Sequence, residues 1–276
     1  ALGVGGRDLS DPVGGISTLA ALAMLEADSA TRHIVLISKP PSQSVAKRVI
    51  DTLAHNEKTC TVCFLGADAP SLPGNVSFAR TLKAAAELAT GRSSKNKKPE
   101  FKPIIPYVPP GRQCIHGLFC GGTLSSEAQV VFLDQGVSVA SNAPIPGAEA
   151  IGTGTSHVLI DLGSDEYTRG RPHPMIDPTV RDEELTKALA DPTLAVILLD
   201  VVIGFGAHPD PAGTIVRVVA AAGTERPIVV ASVTGTDNDP QDRRTQMAKL
   251  VDGGIVVAPT NADAATLALS CLVRDD

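Results

Sequence analysis

The sequence predicts two α/β domains, each a three-layer α/β/α arrangement around a parallel sheet, on the basis of three observations. The chain has 276 residues, and a compact domain usually holds about 100–200 residues. Short apolar runs alternate with segments of helical periodicity, which is the pattern of right-handed βαβ units. Aromatic residues make up only 3% and tryptophan is absent, so we expect aliphatic cores, as in buried parallel sheets.

The first half begins this alternation. Apolar runs predict strands, and apolar residues three and four positions apart, such as Val45, Val49 and Leu53, predict helices. In chain order we expect a strand at 1–4, a helix at 13–27, a strand at 34–38, a helix at 42–54, a strand at 60–65 and a helix at 77–90. Residues 91–112, rich in lysine and proline, are predicted to be a linker between domains at 1–90 and 113–276.

The second half continues the alternation with more elements. We expect strands at 115–119, 157–162, 195–202, 227–233 and 254–257, helices at 123–133, 179–189, 211–222, 241–252 and 262–272, and a loop at 138–154. Residues 28–36 and 191–199 are similar, because each segment starts with Asp after a helix and leads into a buried strand. This internal repeat indicates that the two domains are duplicates of one design.

Composition and charge exclude several functions. The net charge of −6 and the pI of about 5.5 argue against nucleic acid as a partner, since phosphate backbones require a basic surface. Asp200 interrupts the longest apolar run, so no membrane span is predicted. No charged segment followed by an apolar segment is found, so no secretory signal is predicted. Five scattered cysteines are typical of reduced thiols, which favours a cytoplasmic location. Cys60 and Cys63 point to opposite faces of a strand, so they are interpreted as structural, and no metal site is predicted.

The loops after the strands are the candidate binding sites. In open parallel sheets, ligands bind beyond the carboxyl ends of the strands. Glycine-rich turns that lead into helices expose backbone N–H groups to an anion, although such turns are also the ordinary connections of βα units. None of the turns matches a nucleotide-binding motif. The candidate anion- and substrate-binding residues are Gly5, Gly6, Arg7, Gly14, Gly15, Ser17, Ser38, Gly121, Gly122, Thr123, Arg169, Gly204, Gly206, Gly235 and Thr236.

One loop also carries candidate catalytic side chains. Arg171 provides the planar fork that binds a carboxylate or phosphate. His173 lies between two prolines, which restrict its backbone, and its imidazole can donate a proton near neutral pH. The alternative is an ordered surface loop in which Arg171 pairs with Asp177. His208, in the next loop, is a weaker candidate.

Several blocks resemble the FdrA family of the succinyl-CoA synthetase superfamily. They are GVGGRDLS at 3–10, PVGGIS at 12–17, SKPP at 38–41, GLFCGGTL at 117–124 and GRPHPMIDP at 170–178. The resemblance covers essentially the whole chain and implies flavodoxin-like domains. The first half is similar to the second domain of the synthetase α subunit, and the second half is similar to the C-terminal domain of its β subunit.

The sequence departs from the synthetase pattern at two places. Residues 65–80 contain no histidine where the α subunit carries its phosphorylated one, and Lys39 stands where the synthetase has a glutamate. These departures argue against a phosphohistidine relay, and Lys39 joins Arg171 and His173 as a catalytic candidate because its positive charge suits direct anion binding.

The resemblance implies an acyl-transfer enzyme subunit that binds a small carboxylate or an acyl phosphate and assembles with partner subunits. The departures favour carbamoyl transfer between oxamate or oxalurate and phosphate. Acid–thiol ligation, as in an acyl-CoA synthetase, and a non-catalytic scaffold subunit are the alternatives. No cofactor is expected for this chain alone, because the resemblance places CoA binding in an upstream Rossmann-type domain.

Overall fold

The computed structural model describes residues 1–92, 108–109 and 111–272. The chain divides into two compact units, Ala1–Lys97 and Lys98–Asp276, which we call the first unit and the second unit. Most of the predicted linker lies outside the described residues, so the domain boundaries stay a prediction. Within the described ranges, no helix has the length and apolar character needed to cross a membrane.

The first unit is built on a three-stranded parallel sheet with the order β1-β2-β3. Its strands are β1 (His33–Ser38), β2 (Thr59–Phe64) and β3 (Val76–Phe78), and its helices are α1 (Ile16–Ala27), α2 (Gln43–Ala54) and α3 (Leu82–Thr90). The core is aliphatic, as predicted, and includes Val49, Leu53 and Val62. Cys60 and Cys63 are both buried in β2, and burial raises the pKa of Cys60, which fits a structural role.

Two predicted elements of the first unit are wrong. Residues 1–4 form no strand, because nothing in the described chain pairs with them. The helix predicted at 77–90 begins instead as β3, which pairs with β2, and the Ala79 amide continues this pairing by donating to Val62 O. The helix starts only where Thr81 accepts a hydrogen bond from the Ala84 amide.

The second unit contains a seven-stranded parallel sheet with the order β10-β9-β8-β4-β7-β5-β6. Its strands are β4 (Cys114–Phe119), β5 (Ala140–Ser141), β6 (Glu149–Ala150), β7 (Val158–Asp161), β8 (Leu194–Val202), β9 (Ile228–Thr234) and β10 (Val256–Ala258). Its helices are α4 (Gly122–Asp134), α5 (Asp165–Thr168), α6 (Thr179–Ala190), α7 (Pro211–Ala221), α8 (Arg243–Asp252) and α9 (Asn261–Ser270). The parallel α/β class is therefore confirmed, while β5 and β6 lie in a segment predicted to be loop and α5 was not predicted.

The internal repeat corresponds to one local structure. Asp28 follows α1 and accepts hydrogen bonds from the Ala30 amide and from the Thr31 hydroxyl. Asp191 follows α6 and accepts from the amide and the hydroxyl of Thr193. In both copies the aspartate closes a helix and turns the chain into a buried strand.

Two histidines lie at the amino ends of strands in the second unit. Burial lowers the pKa of His116, although the charges of Glu184 and Asp191 partly oppose this effect. Burial also lowers the pKa of His157, whose Nδ1 accepts from the Ile115 amide at 3.1 Å. The Nε2 of His116 is buried without a hydrogen-bond partner in the described chain. Both rings are therefore neutral in the fold at neutral pH.

We expect the second unit to lose stability in mild acid. The folded pKa values of His116 and His157 lie below the ordinary value of 6.5, so the unfolded chain binds protons first as the pH falls. Stability is fully present above that value and decreases below it, by at most about 1.4 kcal/mol per histidine for each pH unit. Urea unfolding followed by circular dichroism at about pH 7.5 and about pH 5.5 measures the loss. Equal stability at both pH values would contradict the assignment, and a variant with both histidines changed to Gln should show a smaller pH dependence.

Candidate functional site

The loops at the carboxyl edge of the second sheet lie side by side. They follow β9, β8, β4 and β7, which are four consecutive strands of the sheet. The His208 amide, after β8, donates to Met175 O in the segment after β7 at 2.7 Å. A side chain on Gly204, after β8, would approach Asp239 Oδ1, after β9. The sheet therefore gathers the predicted site residues of the second half at one edge.

The start of α4 offers backbone donors at this edge. The amides of Cys120 and Gly121 each donate to the Asp200 carboxylate at 2.7 Å. The next two amides, of Gly122 and Thr123, belong to the first turn of the helix and have no acceptor among the described residues. Both residues are partly exposed. These two N–H groups, at the positive end of the helix, can bind an anion.

Other helices hold α4 in place. Asn261, at the start of α9, donates to Leu124 O at 2.9 Å and to Glu127 Oε2 at 2.8 Å. The Ile145 amide donates to Gln129 Oε1 at 3.0 Å. Because these bonds are buried, the first turn of α4 is fixed before any ligand arrives.

Two buried charged residues lie beside the same turn, and the Arg181 guanidinium donates to the Asp200 backbone O at 3.4 Å. Asp200 is fully buried in β8, and Arg181 of α6 is only 2% exposed. Burial raises the pKa of Asp200, whereas the Cys120 and Gly121 amides and the Arg181 charge lower it. The guanidinium also contacts Cys120 Sγ at 3.6 Å and Thr214 Oγ1 at 3.4 Å. Burial raises the pKa of the Cys120 thiol to about 12, so this cysteine is not a nucleophile.

His173 faces Gly163 at the carboxyl end of β7. A Cβ placed on Gly163 would lie 2.7 Å from His173 Nε2, 2.9 Å from Cys120 O and 3.2 Å from Asp161 Oδ1. Only glycine allows this approach. The Met175 amide donates to His173 Nδ1 at 3.2 Å, so the neutral ring carries its proton on Nε2. The imidazole therefore directs an N–H donor toward the space that Gly163 leaves open.

The two predicted arginines lie near His173 in sequence but are exposed. The Arg171 amide donates to Thr168 O at 3.1 Å, and the side chains of Arg169 and Arg171 have no acceptor among the described residues. Asp177 instead accepts from the amide and hydroxyl of Thr179. The alternative of an internal Arg171–Asp177 pair is thus not found, and both guanidinium groups are available to a ligand.

The loop after β8 is closed by a residue that sequence reasoning missed. The Gln241 side chain donates to Gly204 O at 3.0 Å and accepts from the Gly204 amide at 3.1 Å. It also donates to Ala207 O and His208 O. Gly206 has a positive φ of 81° in this loop. The loop borders a cavity of about 200 Å³, lined mainly by small and apolar residues.

Three of the predicted anion-binding positions already donate to a carboxylate of the chain. The Thr236 amide donates to Asp239 Oδ2 at 2.6 Å, and Gly235 stands beside the same carboxylate. In the first unit, the Ser17 amide donates to Asp8 at 2.9 Å. The Gly121 amide donates to Asp200. At these three positions a carboxylate of the chain accepts the hydrogen bond that a bound anion would otherwise accept, and Ser17 and Gly121 lie at helix starts.

The remaining candidates of the first unit surround the Asp8 loop. The Thr18 hydroxyl lowers the pKa of Asp8 to about 2, against the effect of burial and together with the amides of Ser17 and Thr18. Gly15, with a φ of 75°, starts α1 and packs on Val45. The other candidates take three positions: Gly5, Gly6 and Arg7 are exposed before Asp8, Gly14 precedes Gly15, and Ser38 with Lys39 ends β1.

The sequence contained a signal for one missed residue. Asp200 is a charged residue within an otherwise apolar run, and such a residue in a buried strand needs a partner. One partner of the carboxylate, the Gly121 amide, lies 79 positions away along the chain, and Arg181, which donates to the Asp200 backbone carbonyl, lies 19 positions away. For Gly163 the segment shows no local pattern that marks the approach of His173.

The chain is similar to several known proteins. The chain is 37% identical over 294 residues to YahF, an uncharacterized protein of Escherichia coli (strain K12), covering 100% of this chain and 57% of YahF. A dinucleotide forming acetyl-coenzyme A synthetase of Ca. Korarchaeum cryptofilum, in complex with phosphate and ADP, is similar with a TM-score of 0.42 and 16% identity, covering 92% of this chain and 55% of that one. An ATP citrate lyase variant of Methanosaeta concilii, in complex with (3S)-citryl-CoA, gives a TM-score of 0.37 and 12% identity, covering 93% of this chain and 37% of that one.

The chain thus spans about half the length of YahF and of the synthetase. A family model described as CoA-ligase matches residues 118–271, which is more than half of the chain and includes the α4 turn, His173 and Asp200. The chain therefore belongs to the CoA-ligase family.

Proposed function

We propose that this chain is the ligase portion of an acyl-activating protein of the FdrA type, which joins a small carboxylic acid to a thiol through an acyl-phosphate stage. The observation that carries the proposal is that the Gly122 and Thr123 amides, at the carboxyl edge of the second sheet, have no acceptor among the described residues. Membership of the CoA-ligase family supports acid–thiol chemistry at this position.

The proposal gives each group a role. The Gly122 and Thr123 amides bind the phosphate or carboxylate oxygens, because a helix start attracts negative charge. His173 Nε2 donates to an oxygen on which charge develops during acyl transfer. Arg171, which is exposed on the loop before His173, closes over the anion with its planar fork. Lys39, which follows β1 in the first unit, is proposed to add positive charge for an anion bound at the carboxyl edge of the first sheet.

Carbamoyl transfer between oxamate or oxalurate and phosphate is the second candidate. It is favoured by the absence of histidine from residues 65–80 and by Lys39 in place of a glutamate, since this reaction needs no phosphohistidine. Both reactions pass an acyl group to or from phosphate, so both use the same preorganised donors. Family membership supports acid–thiol ligation at least as well, and we therefore place ligation first.

One assay separates the candidates. The protein is incubated, with its candidate partner subunits, either with ATP, CoA and a panel of small carboxylic acids or with carbamoyl phosphate and oxamate. Formation of a CoA thioester supports ligation, and release of phosphate with formation of oxalurate supports carbamoyl transfer. If neither product forms in the presence of the partner subunits, both enzymatic proposals are overturned and the scaffold role remains.

We expect Arg171→Lys to reduce anion binding or turnover about tenfold to hundredfold. Lysine keeps the charge but loses the planar fork, and charge-assisted hydrogen bonds contribute roughly 1.5–3 kcal/mol. Because Arg171 is exposed and its side chain has no partner in the described chain, the melting temperature should not change. Arg217→Lys, at an exposed position on α7, is the matched control. Full activity of Arg171→Lys would remove Arg171 from the site.

A further inference from the structure

A second cluster of cations lies at the opposite, amino edge of the second sheet. Arg112 precedes β4, Arg226 precedes β9, and Gly254 precedes β10. These positions border one cavity of about 200 Å³. Its wall also includes Pro109, Thr224, Glu225, Pro227 and Ile228.

The two guanidinium groups are held by neutral acceptors only. Arg112 donates to Asp191 O at 3.0 Å, to Leu194 O at 2.8 Å and to Glu225 O at 3.4 Å. Arg226 donates to Pro227 O at 3.2 Å and to Gly254 O at 3.5 Å. These carbonyl groups fix the orientation of both side chains. They leave the Nε–H groups of both arginines without an acceptor among the described residues.

Among the described residues, no ion pair neutralises the two arginines, because the exposed Glu225 in the cavity wall offers Arg112 only its backbone carbonyl. Within the described ranges, neither arginine forms an ion pair with a carboxylate. Hydrogen bonds from the hydroxyl and amide of Thr193 lower the pKa of Asp191, and the charge of Arg112 lowers it further. The Asp191 carboxylate is therefore already bound by Thr193. Arg226 is half-buried, and burial lowers its pKa without an acid to offset the effect. A partly buried cation of this kind is stabilised when an anion binds beside it.

We propose that the cavity between Arg112 and Arg226 is a binding site for a small phosphate- or carboxylate-bearing molecule, separate from the carboxyl-edge site. Two guanidinium groups bind an oxyanion in a forked arrangement, and the Thr224 hydroxyl adds a donor at the rim. Pockets for drug-sized ligands measure about 300–1,000 Å³, so this cavity admits a small anion and not a nucleotide. The apolar wall of Pro109, Pro227 and Ile228 gives room for a short organic portion.

Calorimetric titration of the full chain tests the proposal, with inorganic phosphate and oxalate as probes at constant ionic strength in chloride buffer. We expect saturable binding of at least one probe, with at least tenfold weaker affinity in Arg226→Gln. The control Arg217→Gln removes the same charge from an exposed position of the same unit and should bind like the unaltered chain. Because the carboxyl edge can bind the same probes, Arg171→Gln and the double variant Arg171→Gln/Arg226→Gln are also titrated. The binding event that depends on Arg226 should persist in Arg171→Gln and weaken in the double variant.

The ratio of the two probe affinities identifies whether phosphate or carboxylate is the preferred group. Equal binding by Arg226→Gln and the unaltered chain, or no saturable binding of either probe, would overturn the proposal. If Arg226→Gln unfolds, crystals of the unaltered chain soaked in selenate replace the variant. Anomalous density between the two guanidinium groups is then the expected result, and its absence there would overturn the proposal.

Discussion

Replacing Asp200 with Ala is expected to lower the free energy of unfolding by about 3–5 kcal/mol, because two buried amides each lose a charge-assisted hydrogen bond that contributes about 1.5–3 kcal/mol. Asp200 is fully buried and accepts hydrogen bonds from the amides of Cys120 and Gly121. Without the carboxylate, both amides lose their acceptor and the buried Arg181 loses its counter-charge. Urea unfolding of the full chain, followed by circular dichroism, measures the loss.

The matched control is Asp239→Ala. Asp239 also accepts an amide, from Thr236, in the loop after the neighbouring strand, but it is only half-buried. We expect that variant to lose about 1 kcal/mol. A double variant in which Asp200 and Arg181 are both Leu should be more stable than Asp200→Ala, because no buried charge remains alone. Similar losses for Asp200→Ala and Asp239→Ala would show that the buried Asp200 carboxylate does not organise the α4 turn.

The alternation of apolar runs and helical periodicity was sufficient to predict the parallel α/β class. Strands such as β8 are long apolar runs, because a strand of a parallel sheet is buried on both faces. The failures are short elements. Residues 76–78 form a strand only because they pair with β2, and β5 and β6 have two residues each. Such segments are set by tertiary pairing and carry no periodicity of their own.

The candidate site was predictable as a region but not as a set of donors. Parallel topology places the loops at one edge, so the glycine turns and His173 could be assigned there from the sequence. Which amides are unoccupied depends on distant carboxylates, since Asp200 reaches Gly121 across 79 positions. Similarly, the Asp8 carboxylate accepts a hydrogen bond from the Thr18 amide, ten positions away. The sequence pattern does not distinguish one glycine turn from another. In the fold, the amides of three predicted positions already donate to carboxylates of the chain.

That distinction leads to the prediction for His173. Changing it to Ala should reduce turnover about 100- to 1,000-fold, the usual effect of removing one donor to a developing oxyanion. The ring is oriented by the Met175 amide on Nδ1, so Nε2–H faces the space over Gly163. Because the ring is half-buried at the edge of the sheet, its loss should affect kcat much more than stability.

His208→Ala is the matched control, because its Nδ1 accepts the Asp210 amide at 3.0 Å in the neighbouring loop. The change in kcat of His208→Ala therefore measures how much of the effect comes from losing a local structural hydrogen bond. Gly163→Ala gives an independent check, since its Cβ would lie 2.7 Å from His173 Nε2 and push the ring away. If His173 acts as proposed, His173→Ala and Gly163→Ala both lower kcat while His208→Ala does not. Equal kcat values for His173→Ala and His208→Ala would instead place the oxyanion donors entirely on the α4 amides.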